Sequence, residues 1–198
     1  RTALVIGSGL NSLPQFLARR HGIQQVDALY LDQELAALAR QALPPVGIAA
    51  AAAPSAEHPH DGASNGTQPE VAYRLADGRS FVRAAQGGSY DLVLVILPEP
   101  DNAGVNRYCT EEFFREVARA LSANGVFLLQ LPAFGAGGEY VSPPLALRTA
   151  SILTALRGVF PDVQSAPVQG HLLAAGKRTG TISFSPGVLG ARLATRPV

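Results

Sequence analysis

Short apolar segments alternate along the chain with amphipathic ones. The apolar segments have the composition of strands buried on both faces of a parallel sheet. Predicted strands cover residues 4–6, 26–32, 71–75, 92–97, 126–131, 163–168 and 171–175. Predicted helices cover residues 13–21, 34–43, 81–85, 142–157 and 188–194, and a further helix begins after Thr110 and ends at Asn124-Gly125. The alternation predicts an α/β sandwich with a mostly parallel seven-stranded sheet, an antiparallel edge strand and helices on both faces.

The first strand runs into a glycine turn and then a helix. Gly7, Ser8 and Gly9 form the turn, and glycines there allow a ligand to approach the backbone. Ser12 is the expected N-cap of the helix, and Pro14 suits its first turn. Because a helix start offers unpaired N–H groups, this stretch is predicted to be a nucleotide-binding turn. The alternative is a plain strand–helix turn, since Ser12 replaces the third glycine of Gly-x-Gly-x-x-Gly.

Polar side chains follow several predicted strands at the point where each strand ends. Asp32, Asp77 and residues 99–102 hold these positions. In an open parallel sheet, ligands bind outside the carboxyl ends of the strands. These groups and the glycine turn are therefore expected close together at the carboxyl ends of the strands, which form the rim of the sheet. Asp32 is placed to accept hydrogen bonds from ribose hydroxyls. The alternative for Asp32 is a helix cap or a solvated acid.

The composition narrows the classes of function. Hydrophobic residues make up 47% and charged residues 16% of the chain, so one globular domain is expected over residues 1–198. The net charge of +1 comes without a basic stripe, which argues against a nucleic-acid partner. Cys109 is the one cysteine, which excludes an internal disulfide and fits a reducing compartment. The apolar runs are shorter than a membrane span.

The start of the sequence indicates how the chain relates to a full-length protein. The sequence contains no Met and opens at Arg1 on the edge of a core strand, so we expect a piece excised from a longer protein.

Residues 44–70 lack apolar periodicity and are expected to form a flexible surface loop. His58, His60 and Asp61 in this loop resemble metal ligands, but no second cluster accompanies them, so no metal site is predicted.

A run of motifs from the fourth to the fifth strand resembles a known family. It begins with Tyr90-Asp91-Leu92-Val93-Leu94-Val95 and Pro98-Glu99-Pro100. It continues with Asn106-Arg107-Tyr108-Cys109-Thr110-Glu111-Glu112-Phe113-Phe114 and then residues 121–130. The chain is similar to the spermidine synthase (polyamine aminopropyltransferase) family, within the Rossmann-like class I methyltransferase fold. The resemblance extends over nearly the whole chain.

The resemblance implies a co-substrate, which is S-adenosylmethionine or its decarboxylated form, and no metal. It implies that Gly7, Ser8 and Gly9 line the amino-acid or aminopropyl end of this molecule. Asp77 with Gly78 matches the family's Asp-Gly motif, whose acid lies near the adenine amino group. The ribose-binding acid of the family stands two residues before Asp32, where this chain has Tyr30.

The resemblance also identifies candidate catalytic residues. Aminopropyl transfer needs a base for the attacking amine and acids that hold the cationic amine. The family places an Asp directly after the strand motif that matches Tyr90–Val95, where this chain has Ile96. Glu99 and Asp101 are therefore the predicted base or amine anchor, and the alternative is that both are solvent-exposed turn acids. A nucleophilic role of Cys109 is disfavoured because no His is close to it in sequence.

Three functions stay open at this point. The first is a spermidine synthase-like transferase that moves an aminopropyl group to a small-molecule amine. The second is a methyltransferase on the same fold, and the third is a catalytically degenerate domain that binds a nucleoside or a partner protein. The expected location is the cytoplasm, either alone or as the cytoplasmic domain of a membrane protein, with no membrane contact by this segment. The resemblance also raises a homodimer as a form of assembly.

Overall fold

The computed structural model describes residues 1–7, 11–19, 22–42, 70–98, 102–132, 143–166 and 171–194. Seven strands lie in these ranges: β1 (Thr2–Ile6), β2 (Gln25–Tyr30), β3 (Glu70–Leu75), β4 (Tyr90–Ile96), β5 (Leu121–Leu131), β6 (Asp162–Ala166) and β7 (His171–Gly176). The helices are α1 (Leu13–Ala18), α2 (Gln33–Ala42), α3 (Gly78–Ala84), α4 (Ala103–Asn106), α5 (Glu111–Ala120), α6 (Pro143–Arg157) and α7 (Pro186–Ala194).

The strands form one sheet in the order β3-β2-β1-β4-β5-β7-β6. The pairs among β1 to β5 are parallel, and β7 pairs antiparallel with both β5 and β6. The predicted α/β sandwich with a mostly parallel seven-stranded sheet is therefore confirmed. The antiparallel strand is β7, and β6 lies outside it at the edge.

Each face of the sheet carries its own hydrophobic core. Successive side chains of a strand point to opposite faces, and β1 supplies both cores. Leu4 and Ile6 belong to the core that includes residues of α3, α5 and α6. Ala3 and Val5 belong to the core that includes residues of α1 and α2. The predicted placement of helices on both faces is thereby confirmed.

Local predictions failed where the backbone found other partners. The helix expected to end at Asn124-Gly125 ends at Ala120, because the chain turns extended at Leu121 and joins the β4 ladder there. Tyr90 pairs with Leu121 and Leu92 pairs with Val126, so a register shift accommodates the residues of β5 between Leu121 and Val126. Ser12 stands at the N-cap position, but its side chain makes no capping bond, and Asn11 Oδ1 accepts from the Leu13 N–H at 3.1 Å instead.

Other element boundaries moved by shorter distances. Helix α3 begins at Gly78 rather than at residue 81, and the short helix α4 was not predicted. Thr110 caps α5 as expected, because its hydroxyl accepts from the Phe113 N–H at 3.3 Å. The predicted loop over 44–70 lies outside the described residues except for Glu70, which begins β3. Within the described ranges, every helix is too short or too polar to cross a bilayer.

A buried carboxylate braces three strands. Asp27 of β2 is 3% exposed, and its oxygens accept from Arg74 Nε of β3 at 2.7 Å and from Tyr90 Oη of β4 at 2.8 Å. Because β1 lies between β2 and β4, this contact crosses β1. Burial and then the Asp27 charge raise the pKa of Tyr90, so its hydroxyl stays a donor at neutral pH.

Replacing Tyr90 by Phe should lower the free energy of unfolding by about 1.5–3 kcal/mol, because the lost hydrogen bond is to a charged group. The matched control is Tyr73→Phe, which removes a buried hydroxyl whose partner is the neutral side-chain amide of Gln15. That control should cost about 0.5–1.5 kcal/mol. Urea titration of both variants measures the difference, and an equal or reversed order would refute the role of the charge.

Candidate functional site

The carboxyl ends of β1 and β4 approach each other closely at Gly7. Gly7 has a φ of +80°, a left-handed conformation that side chains disfavour. A Cβ built on Gly7 would lie 2.1 Å from the carbonyl oxygen of Ile96, so no larger residue fits. The turn after β1 is therefore a glycine turn for a steric reason, and it lies directly beside the end of β4.

Gly78 brings the end of β3 against the end of β1. Gly78 is buried, and a Cβ there would lie 2.7 Å from Ile6 Cγ2 and 3.1 Å from Tyr108 Oη. The missing side chain thus leaves room for Ile6 and Tyr108 to pack over the start of α3. This is a packing reason for the glycine, and its contact with a ligand stays a prediction. The neighbouring Asp77 is held near the glycine turn as a result.

Asp77 is an ionised acceptor at this rim. It is the N-cap of α3, where its Oδ1 accepts from the Ser80 N–H at 2.9 Å. Its Oδ2 accepts from Arg107 Nη2 in an ion pair. Partial burial alone would raise the pKa of Asp77, but the hydrogen bonds from Ser80 and the charge of Arg107 together hold it below its usual value. A carboxylate of this kind can accept a hydrogen bond from an amino group.

Arg107 is fixed by contacts besides Asp77. Its Nε donates to the Gly104 carbonyl at 3.0 Å, and its Nη2 also donates to Tyr108 Oη at 3.2 Å. The guanidinium lies over the Tyr108 ring, 5.0 Å from the centroid. Arg79 Nη1 donates to the Arg107 carbonyl at 3.3 Å. Sequence reasoning included Arg107 in a motif but gave it no role, because its partner Asp77 is distant in sequence.

The end of β2 differs from the predicted ribose site. Asp32 is exposed, and its Oδ1 accepts from the Leu35 N–H at 2.8 Å, which caps α2. The structure thus agrees with the helix-cap alternative, and ribose binding by Asp32 stays a prediction. Tyr30 is 3% exposed and packs in the core, with its ring centroid 6.0 Å from that of Tyr73. The side chain in the family's acid position therefore serves packing.

The remaining predicted site residues cannot be placed. Ser8, Gly9, Glu99 and Asp101 lie outside the described residues, so their roles stay predictions. The chain just before the two acids is described. Leu97 is buried, and its N–H donates to the Gln130 carbonyl at 3.1 Å, which continues the contact between β4 and β5. The segment that leads to Glu99 and Asp101 therefore starts from a fixed point of the sheet.

The described residues support neither thiol chemistry nor metal binding. Burial raises the pKa of the Cys109 thiol to about 11, so a thiolate nucleophile is disfavoured at neutral pH. In the part of the chain that the structure describes, no group of three or more His, Cys, Asp or Glu side chains is arranged to hold a metal ion. His58, His60 and Asp61 lie outside that part.

Comparison with known sequences identifies similar proteins. The family model of the spermine/spermidine synthase domain matches residues 1–141. A polyamine aminopropyltransferase of Nitrosomonas europaea is 29% identical over 196 residues, which are 98% of this chain and 54% of that protein. Putrescine N-methyltransferase 4 of Nicotiana tabacum is 28% identical over 130 residues, which are 66% of this chain and 29% of that enzyme. The chain thus spans about half the length of the first relative and less of the second.

Comparison with solved structures supports the fold. A spermidine synthase in complex with the transition-state analogue AdoDATO superposes with a TM-score of 0.64 at 16% identity, over 92% of this chain and 56% of that one. Human methyltransferase-like protein 13 in complex with SAH superposes with a TM-score of 0.65 at 20% identity, over 100% of this chain and 83% of that one. The Rossmann-like methyltransferase sandwich is thereby confirmed.

The steric explanation of Gly7 predicts a large cost for Gly7→Ala. The left-handed φ costs about 1–2 kcal/mol for Ala, and the overlap with the Ile96 carbonyl adds about 1–3 kcal/mol. Gly88→Ala is the matched control, because Gly88 has a φ of +79° and nothing lies within 4 Å of the position that a Cβ would take there. Chemical denaturation of both variants separates the two contributions, and equal losses would exclude the overlap.

Proposed function

The chain belongs to the spermine/spermidine synthase family, and from this premise we propose that it acts as an aminopropyltransferase that uses decarboxylated S-adenosylmethionine. The observation that carries the proposal is the ionised Asp77 carboxylate, which the packing of Gly78 against Ile6 holds beside the Gly7 turn. Membership in the family supports a role in binding for these groups at the carboxyl ends of β1 and β3. The polyamine aminopropyltransferase activity of the Nitrosomonas europaea relative supports the same reaction.

The described residues fit an adenosyl-sulfonium substrate in two respects. An ionised acceptor at the end of β3 suits the exocyclic amino group of adenine. A glycine turn without room for a side chain lets substrate approach the backbone of the loop after β1. At the end of β2, the buried Tyr30 is not placed to receive ribose hydroxyls, and Asp32 is the acid that we propose for them.

The proposed reaction is an in-line displacement. An amine nitrogen attacks the aminopropyl carbon next to the sulfonium, a C–N bond forms and the C–S bond breaks. 5′-Methylthioadenosine leaves with the bonding electron pair, and the amine proton passes to a carboxylate. We propose Glu99 and Asp101 for this proton and for binding the cationic amine, because they follow the fixed end of β4. The protein then contributes mainly orientation and charge.

Methyl transfer is the second candidate function. The position that holds an Asp in the family pattern is Ile96, at the end of β4, and this loss removes an acid that aminopropyl transfer uses. The likeness to putrescine N-methyltransferase 4 of Nicotiana tabacum supports the alternative. Its product from the sulfonium substrate is S-adenosylhomocysteine rather than 5′-methylthioadenosine. For either reaction we propose a small amine as acceptor and a cytoplasmic site of action.

Calorimetric titration with decarboxylated S-adenosylmethionine, S-adenosylmethionine and 5′-methylthioadenosine tests the proposal. We expect the decarboxylated form to bind more tightly than S-adenosylmethionine, because an aminopropyl site lacks a partner for the substrate carboxylate. Asp77→Asn should weaken 5′-methylthioadenosine binding about tenfold, which corresponds to about 1.4 kcal/mol. Asp91→Asn is the control, since Asp91 lies at the amino-terminal end of β4 and accepts there from Thr2 N and Ser122 Oγ.

The titration also separates the candidate functions. A preference for S-adenosylmethionine would favour methyl transfer. Binding without turnover of either substrate would favour a catalytically degenerate nucleoside-binding domain. Absence of binding to all three molecules would refute a nucleoside site in this chain.

The double variant Glu99→Ala and Asp101→Ala should reduce the rate of aminopropyl transfer by about 10²–10⁴, the usual contribution of general acid–base catalysis. Binding of 5′-methylthioadenosine should stay unchanged, because this product lacks the amine. A coupled assay of 5′-methylthioadenosine release measures the rate, and Asp91→Asn again serves as the control. If the double variant and the unchanged chain had equal rates, neither acid would take part in the reaction, and both would be solvent-exposed turn acids.

A further inference from the structure

Arg107 occupies an unusual place at the rim, because it contacts the acid that the proposed function assigns to adenine. Both oxygens of Asp77 already accept hydrogen bonds, Oδ1 from the Ser80 N–H and Oδ2 from Arg107 Nη2. A carboxylate has about four acceptor positions, so two contacts leave capacity for a ligand. The guanidinium therefore need not leave for an amino group to bind. The guanidinium holds one oxygen of the carboxylate, and the helix amide holds the other.

The Arg107 guanidinium makes more contacts than an arginine in a simple surface ion pair. The two hydrogens of Nη2 serve Asp77 Oδ2 and Tyr108 Oη, while Nε serves the Gly104 carbonyl. The ring of Tyr108 is buried and meets Phe113 edge-on at 5.2 Å, which gives the arginine a fixed platform. Such a network reduces the freedom of the arginine before any ligand arrives.

The backbone of Arg107 is fixed as well. Arg79 of α3 donates to the Arg107 carbonyl at 3.3 Å and pairs with Glu116 of α5 at 3.3 Å. Asp77 and Arg79 flank the start of α3, so α3 contacts Arg107 at both its side chain and its carbonyl. The segment that contains Arg107 is thus joined to the proposed adenine acid through the Arg107 side chain and to helix α3 through Arg79.

We propose that Arg107 is the positioning residue of the nucleoside site, which orients the Asp77 carboxylate for an exocyclic amino group and ties it to the segment after β4. This inference rests on the proposed function, because it assumes that Asp77 accepts from adenine. It adds a residue that selects amino-purine nucleosides over analogues that lack the amino group. Arg107 acts through Asp77 and is not itself a catalytic residue.

The pH dependence of binding follows from the contacts of Asp77. The described titratable or charged groups that face it are Arg107 and Tyr108, while β1 presents the apolar Ile6 and α3 presents the Ser80 amide. Arg107 lowers the pKa of Asp77, so the carboxylate stays ionised to lower pH. Removal of the guanidinium raises that pKa. The acid limb of nucleoside binding should then move to higher pH.

The test compares Arg107→Gln, Arg107→Lys and the control Arg83→Gln. Arg83 is also an arginine paired with an acid, Glu116, at 3.1 Å, and its side chain is 65% exposed. The probes are 5′-methylthioadenosine and its analogue with hydrogen in place of the 6-amino group. Arg107→Gln should weaken binding of the amino compound about tenfold and leave the analogue nearly unchanged. Arg107→Lys should restore part of the loss, since it keeps the charge and not the bond to Gly104.

Carbon-13 detection of the Asp77 carboxyl in the ligand-free protein gives a second readout. Its pKa should rise in Arg107→Gln and stay unchanged in Arg83→Gln. An unchanged Asp77 pKa, or unchanged binding by Arg107→Gln where the parent chain binds, would overturn the inference and leave the proposed function standing. Tighter binding by Arg107→Gln would also overturn it, because Arg107 would then compete with the ligand. Absence of binding by the parent chain would overturn both.

Discussion

The rim depends on the space that glycine leaves between the ends of β1 and β4. The Ile96 carbonyl oxygen lies 2.1 Å from the position that a Cβ of residue 7 would take, so the chain leaves β1 through a left-handed glycine. The parallel pairing of β1 with β4 and with β2 fixes this approach, and the buried Asp27 contacts brace it from below. Among the described residues, the position of Gly7 beside Ile96 follows from these strand ends.

Charge at the rim is arranged by contacts between segments distant in sequence. Asp77 caps its own helix and binds a guanidinium from the segment after β4, so one carboxylate joins two sides of the site. Two buried tyrosines contribute in different ways. The Tyr108 ring lies under the Arg107 guanidinium and its hydroxyl accepts from it, whereas Tyr30 packs against Tyr73 at the end of β2.

The alternation of apolar and amphipathic segments was enough to predict the sheet, because burial on both faces leaves a period that survives in the sequence. The place of Asp77 at the end of a strand was also predictable, whereas Gly78 was singled out through the family's Asp-Gly motif, and the roles of both in binding stay predictions. The partnership of Asp77 with Arg107 was not predictable, because no local pattern connects residues on different elements. The predicted end of α5 was wrong for a related reason, since the pairing of Leu121 with Tyr90 outweighed the turn signal of Asn124-Gly125. Glu99 and Asp101 remain predictions from motif alone.

The contact at Gly7 involves the backbone of Ile96 and not its side chain. The turn therefore places no demand on which amino acid stands at position 96. During evolution, a lineage can exchange an acid for an apolar residue there, or regain the acid, without rebuilding the glycine turn. The glycine turn and the side chain at the end of β4 can therefore change independently of each other.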